Sequence, residues 1–454
     1  MMAMMNVAGG MHRKSYYKIN KKVMNALVYG PAASTLEESH QVVHQLYKEI
    51  YGEVDGPRAI TVSHDGSWHI KGHSSSIGVC FVIDSLSGLV LDYHVMSKYC
   101  AECELVGGKL EGTEKEEWME AHRPGCDRNH FGSSGSMEVE GAKVLWGRSI
   151  DIGNFKYTGL VGDGDAAVLE ALKALDPYGG EAISKEECIN HVSKRMFKGL
   201  ERVVKEVGNQ VKENRRQPGD RALKTTLGGR GKMTQERMKK WSSYYRKAIV
   251  ESAPNVELAR NSVWAILFHS VSTIEDPHHS HCSEDWCWFK QAQKEGKDPK
   301  QAFKEGKRDQ PLPRDVAERL VPLFERLADR ELLRRCMQLQ TSNANESLHS
   351  TVWKRAPKHK YCGKKTVETA VALAVIQFNK GARALTEVGH SLGLEASAIL
   401  QKLAGQRDQE RIRRADKAAK SESKTARKKN VLTKVRQEEA LRSAEGPLYE
   451  AGAF

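Results

Sequence analysis

The chain contains no long apolar run. Nowhere does it approach the roughly 20 consecutive apolar residues of a membrane helix, and the Met-rich start, Met1 to Met11, lacks the hydrophobic stretch of a signal peptide. Both absences predict a soluble, intracellular protein with no membrane partner. The 9 cysteines in 454 residues do not suggest a disulfide-stapled secreted scaffold, and a chain of this length can bury a full core without one. No internal repeat is visible, and residues 1–55 hold no zinc-finger or helix-turn-helix spacing. What the chain does have is positive charge: a formal net of +13 makes a polyanion, most simply nucleic acid, the natural partner.

One stretch organises the rest. Tyr157-Thr-Gly-Leu-Val-Gly-Asp163-Gly-Asp165 reads as an apolar strand ending in acids at a glycine, and Ala166 to Leu175 reads as the amphipathic helix behind it. That order puts carboxylates at the carboxyl edge of an α/β sheet, where ligands and metals bind. Asp165 stands where a helix N-cap is wanted. Asp163, still on the strand end, has no such role and is the functional acid of the pair.

The remainder divides by composition. Residues 1–55 form a basic N-terminal segment with a helix from Ser34 to Tyr51. Residues 56–207 form the first part of an α/β core: strands around Ala59 to Trp68, Ile77 to Ile83 and Leu89 to Val95 make an antiparallel meander. A polar insert at 97–132 follows, then a helix from Met137 to Trp146 and the organising strand. Between Tyr178-Gly-Gly and Glu187 a further strand is expected. Residues 208–340 read as a helical insertion, including the aromatic helix Trp241, Tyr244, Tyr245, Ile249 and a helix from Val256 to Ser270; Lys290 to Arg314 reads as a solvated connection. Residues 341–405 return to the core, and 406–454 form a helical basic tail, either a solvated helix or one that rests on phosphates.

Two kinds of metal ligand stand out. Cys100-x2-Cys103 and His122-x3-Cys126 are two close pairs joined by a loop, the S/N set of a tetrahedral structural zinc, with His130 a rival fourth ligand and unpaired buried cysteines the alternative. Cys188-x2-His191 opens a basic amphipathic helix carrying Lys194 and Arg195. His278-His-Ser-His281-Cys282 with Cys287 is either a second cluster or a histidine-rich loop. The acids form the other kind. Asp65 ends the first strand in Asp-Gly, Asp163 ends the later one, and Glu346 lies in Asn343-Ala-Asn-Glu346 on a late helix. Taken singly each has a plain alternative: a turn residue, a loop acid, a capping box. Taken in this order they make the set that a two-metal phosphoryl-transfer site uses with Mg2+ or Mn2+, and the order of elements is that of an RNase H-like mixed sheet with a zinc-type insert and a large all-α insertion.

The chain also resembles the Mutator-like transposase domain, part of the wider DDE transposase group. The resemblance runs over residues 56–385. It rests on Ser63-His-Asp65-Gly-Ser-Trp68, Gly72-His-Ser-Ser75, Val90-Leu-Asp-Tyr93, Ser97-Lys-x-Cys100-x2-Cys103, His122-x3-Cys126-x2-Asn129, Gly132-Ser-Ser-Gly-Ser-Met-Glu138, Gly162-Asp-Gly-Asp165, Glu187-Cys-x2-His191-x2-Lys194-Arg195, Tyr244-Tyr245, Trp286-Cys287 and Asn343-Ala-Asn-Glu346-Ser-Leu-His349. The resemblance implies metal-dependent cleavage and joining of DNA, with Asp65, Asp163 and Glu346 as the metal-binding acids. It further implies that Cys188 and His191 form a signature pair beside the site and strengthens zinc at Cys100, Cys103, His122 and Cys126. Lys194 and Arg195 would hold phosphates. The expected partners are transposon ends and target DNA, the expected location is the nucleus, and the chain is expected to work as a homo-oligomer. A domesticated or inactive zinc-stabilised DNA-binding derivative would carry the same motifs.

Overall fold

The structure is a computed structural model describing residues 25–70, 75–162, 166–216, 226–301, 310–391 and 395–419, with residues 15, 18, 19, 22 and 393. Asp163, Asp165, part of Gly72-His-Ser-Ser75, most of the basic stretch at 12–22 and the tail from residue 420 lie outside the described residues. The chain divides into two compact units, Leu36–Val371 and a second made of Met1–Thr35 with Ala372–Phe454.

In the larger unit, helix α1 (Ala33–Tyr51) leads into β1 (Arg58–Trp68), β2 (Ile77–Asp84) and β3 (Val90–Ser97). A polar insert with short helices α2 (Ala101–Leu105) and α3 (Gly112–His122) follows, then α4 (Met137–Gly147), α5 (Ser149–Gly153), β4 (Phe155–Gly162), α6 (Ala166–Leu175) and β5 (Ser184–Glu187). The five strands form one mixed sheet in the order β3-β2-β1-β4-β5; the first three are antiparallel, and β4 and β5 run parallel to β1. The central position of β1 follows from its pattern. Side chains alternate across a strand, and here both faces are covered: Val62 is buried and the His64 ring meets Trp146 of α4 edge-on at 5.5 Å. Ser63, Asp65 and Ser67 point the other way. Trp146, Leu145 and Met137 of α4 and Leu172 of α6 fill the core on the α4 side, with Val43 and Tyr47 from α1.

The strand expected between Tyr178-Gly-Gly and Glu187 forms as β5. Its sequence, Ser-Lys-Glu-Glu, has no apolar alternation; it is ordered by pairing with β4, and buried Glu187 is neutralised by Arg195 at 2.7 Å.

The helical insertion begins directly after β5. It comprises α7 (Ile189–Arg216), α8 (Gln235–Ser252), α9 (Val256–Val271), α10 (Trp288–Lys294), α11 (Arg314–Glu318), α12 (Val321–Leu327) and α13 (Arg330–Arg334). The boundary lies upstream of the predicted 208 because Ile189, Val192, Met196 and Leu200 already belong to the insertion's own core, with Trp241, Tyr245, Val263 and Phe324. Thr234, Asn255 and Asp329 cap α8, α9 and α13 through hydrogen bonds from Arg237, Leu258 and Leu332 amides. The stretch expected as a solvated connection from Lys290 opens inside α10.

Entry and exit are clasped together. The Glu187 amide donates to the Arg335 carbonyl at 2.9 Å and that of Ile189 to Gln340 at 3.1 Å. Beyond the clasp comes α14 (Asn343–Arg355), which returns to β1, and then α15 (Lys364–Lys380).

The second unit has a small core of its own: Leu27, Ala32, Ala372, Ile376, Ala384 and Val388. Its later helices are α16 (Ala382–Ser391) and α17 (Ala398–Ala419), and Asp408 of α17 accepts from the Ala382 and Arg383 amides at the start of α16, at 2.6 and 3.0 Å. The basic residues Arg411, Arg413, Arg414 and Lys417 are exposed on α17.

The pairing of β1 with β4 breaks register between Ile60 and Thr61, where Thr61 faces Gly159. A Cβ on Gly159 would stand 2.8 Å from Thr61 Cγ2 and 2.9 Å from its Cβ. Gly159→Ala is therefore expected to cost about 1–3 kcal/mol of stability through overpacking. Urea unfolding checks this, and an unchanged midpoint would remove the steric constraint on the strand leading to Asp163.

Candidate functional site

The returning helix α14 lies along β1 in a matched ladder. Asn345 Nδ2 donates to Ser63 Oγ at 2.8 Å, His349 Nδ1 lies 3.6 Å from Asp65 Oδ2, and Trp353 Nε1 donates to Ser67 Oγ at 2.9 Å. Four residues of helix rise about 6 Å and two residues of strand about 6.6 Å, so every fourth helix residue meets every second strand residue on one face.

Asp65 therefore sits partly exposed, its side chain 29% accessible, under the helix that carries Glu346. Burial holds the His349 imidazole neutral and brings its pKa down to about 3, with Lys358 adding to the effect. At 3.6 Å the contact with Asp65 is neither an ion pair nor a good hydrogen bond. His349 is a neutral wall against the carboxylate, and its Nε2 is buried with no hydrogen-bond partner among the described residues.

Glu346 sits in the first turn of α14, where a carboxylate is favoured by the free amides of the helix start. The capping-box alternative is not what forms. The N-cap is Ser342, and the Glu346 side chain reaches across to α7 instead, 3.4 Å from His191 Nε2 and 4.0 Å from Lys194 Nζ. His191 thus belongs beside Glu346. Its expected companion Cys188 is turned elsewhere: buried, it accepts hydrogen bonds from the Ser342 amide and hydroxyl, both at 3.3 Å, and so locks the start of α14 to the start of the insertion. Arg195 likewise has a structural partner in Glu187, whereas Lys194 is 63% exposed.

Asp163 lies outside the described residues. The strand leading to it runs parallel to β1, paired as far as Ser63 opposite Val161. The oxygen donors Asp65 and Glu346, both partly open to solvent, have the chemistry of a hard divalent cation site. Among the described residues they do not form a three-ligand group.

Two Cys/His groups do converge. Cys100, Cys103, His122 and Cys126 bring their ligand atoms within 4.8 Å of one another. Cys100 Sγ is 3.3 Å from His122 Nε2, and Cys103 Sγ is 3.5 Å from Cys126 Sγ. Tetrahedral zinc with bonds near 2.3 Å to sulfur separates ligands by about 3.8 Å, so the donor set fits. Behind it, Glu102 lies 3.2 Å from His122 Nδ1 and presents the other nitrogen to the cluster, while Trp118 stacks on the ring at 4.5 Å. Burial opposes ionisation of Cys100, but backbone amides and His122 outweigh it and bring the thiol to about 6. A staple is physically needed here, because α2 and α3 contribute no buried residue. The rival ligand His130 is engaged with Ser133 and Ser136.

The second group is His269, His279, Cys282 and Cys287. His279 and the two cysteines were legible as a cluster; His269, from the last turn of α9, was not. His279 Nδ1 lies 3.4 Å from Cys287 Sγ and 3.2 Å from His269 Nδ1, with Ser272 Oγ on its far nitrogen at 2.8 Å. The neighbours His278 and His281 are excluded: one pairs with Asp276 at 3.1 Å, the other stacks on Phe268. The only foresight available for His269 was its distance along a helix that ends at the cluster.

A family model for Mutator-like transposase matches residues 1–287. A search of the curated proteins returned no match to the chain. The described residues form a mixed α/β core with a Cys/His insert, and the family match gives the class of protein. The chain belongs to the Mutator-like transposase family. The matched residues include Asp65, Asp163 and both Cys/His groups, while Glu346 lies beyond them.

Full-length protein purified in reducing buffer is expected to carry about two zinc ions per chain, one for each four-ligand set. Elemental analysis should find one fewer in Cys100→Ser and one fewer in Cys282→Ser, with no loss in Cys188→Ser. Loss of zinc from Cys188→Ser would return that residue to the ligand set.

Proposed function

We propose that the chain is a DDE-type DNA transposase with an RNase H-like core, which cleaves DNA strands and joins them to a target. The observation that carries the proposal is the ladder of α14 on β1, because it brings the helix bearing Glu346 onto the strand bearing Asp65. The strand order, with an antiparallel meander followed by two parallel strands, supports the RNase H-like assignment, and so does the entry of an insertion between β5 and α14.

In this reading Asp65, Asp163 and Glu346 hold Mg2+ or Mn2+, which when bound supplies Lewis-acid stabilisation to the attacked phosphate. The chain's own groups do the rest. His349, kept neutral by burial, limits the rotamers open to Asp65 and adds no competing positive charge. Lys194, exposed and 4.0 Å from Glu346, is free to reach a phosphate at the same edge. The excess of basic residues across the chain supplies non-specific attraction for transposon ends and target, so binding falls steeply as salt rises. The reading extends to a nuclear location and to a homo-oligomer that holds two DNA ends.

A second reading, a non-catalytic DNA-binding derivative, is favoured by one observation: Glu346 already has His191 and Lys194 as neighbours, which compete with a metal for its charge. Nicking of supercoiled plasmid separates the two. Wild type should nick with Mg2+ or Mn2+, and Asp65→Asn, Asp163→Asn and Glu346→Gln should each lose activity by at least about a hundredfold, the scale of single catalytic groups. Salt-sensitive binding without any nicking would establish the second reading.

A further inference from the structure

We propose that a cavity in the helical insertion receives a single unpaired nucleotide of the DNA, stacked between Trp286 and Tyr244. This rests on the DNA reading above but concerns a different part of the molecule from the acids.

The cavity has a volume of about 520 Å³ and is walled by α8, by the end of α9 and by the loop that follows it. That is within the range of pockets that enclose small molecules. Two aromatic side chains on its wall are open to solvent: Tyr244 is 43% exposed and Trp286 is 40% exposed. On α8 the neighbours of Tyr244, Trp241 and Tyr245, are buried at 3% and 0%, so that helix splits its aromatics into a core set and an outward one. Single exposed aromatics are common; it is two on the wall of one cavity that suit a ligand-binding groove.

The surrounding charge says what kind of occupant this is. Arg237, Lys240 and Lys247 line the cavity, against one carboxylate, Glu251, which lies 3.6 Å from Lys247. Lys240 Nζ stands 5.9 Å over one face of the Tyr244 ring, so a cation already lies beside the aromatic wall and the opposite face is the one left for a base. Flat apolar faces edged by cations match a nucleobase with its phosphate. A base within a duplex has both faces covered by its neighbours; an unstacked one offers them. Ser262 and Gln310 add polar groups for a base edge.

The loop carrying Trp286 is also fixed. Trp286 precedes Cys287, and its ring meets His269 edge-on at 5.2 Å, so the second Cys/His group anchors both the backbone and the ring. The structure thus assigns that group a task beyond holding the loop: it pre-positions one wall of the stacking site.

The test uses full-length protein and two duplexes of equal sequence, one fully paired and one with a single-base bulge of 2-aminopurine. Wild type should bind the bulged duplex about tenfold tighter, as one aromatic stack would give, and should quench the 2-aminopurine. Trp286→Ala and Tyr244→Ala should lose the preference and the quenching while keeping their affinity for the paired duplex and their melting temperature; Trp286→Phe should retain both. Equal binding of the two duplexes by wild type overturns the pocket and leaves the DNA reading standing. Failure to bind either duplex overturns both. A free nucleoside triphosphate that binds wild type but not Trp286→Ala, with no gain from the bulge, replaces the DNA strand by a small-molecule ligand.

Discussion

The fold depends on one match of two periodicities. A helix and a strand placed side by side usually touch at a few points before their repeats fall out of step. On β1 and α14 they stay in step over three contacts, Asn345 with Ser63, His349 with Asp65 and Trp353 with Ser67. The outer two are hydrogen bonds and the central one is a close contact at a buried neutral imidazole. This arrangement fixes both the rotation and the sliding of α14 against the sheet, and the position of Glu346 follows. A shift of one residue would turn the ladder side chains of β1 to the opposite face of the sheet, and those of α14 about 100° around the helix.

The second constraint is the clasp at the root of the insertion. Glu187, Cys188 and Ile189 leave the sheet where Arg335, Gln340 and Ser342 return to it, joined by three backbone donors and a hydroxyl. The helices between them have a separate core, so the sheet sees the insertion as a closed loop. Closing a loop whose ends are already bonded adds little to the entropy cost as its length grows. That is why a large all-α body can stand between β5 and α14 without disturbing the register beneath it.

Elements whose pattern is local were legible in the sequence. The antiparallel meander, the helix from Ala166 to Leu175 and the helix beginning at Met137 all form where their periodicity puts them. The pairing of Cys100 and Cys103 with His122 and Cys126 was equally readable, because close spacing limits where ligands can go. Features decided by tertiary contact were not. Cys188 resembled a ligand until Ser342, far along the chain, supplied its hydrogen bonds. His269 belongs to a cluster ten or more residues downstream, and a single histidine in an apolar helix carries no mark of that. Glu346 fitted a capping box by spacing alone; only the approach of α7 shows where its carboxylate turns.

The ladder has a consequence for synthesis. Its partners Asn345 and Ser63 are 282 positions apart, and domains form from the N-terminus as the ribosome releases them. The sheet, the Cys/His insert and the insertion's helices can all be in place while the segment carrying Glu346 is still in the exit tunnel. Until that segment emerges and lies down on β1, the nascent protein has its sheet but not the helix that completes the ladder, so the last of the proposed acids is also the last to arrive.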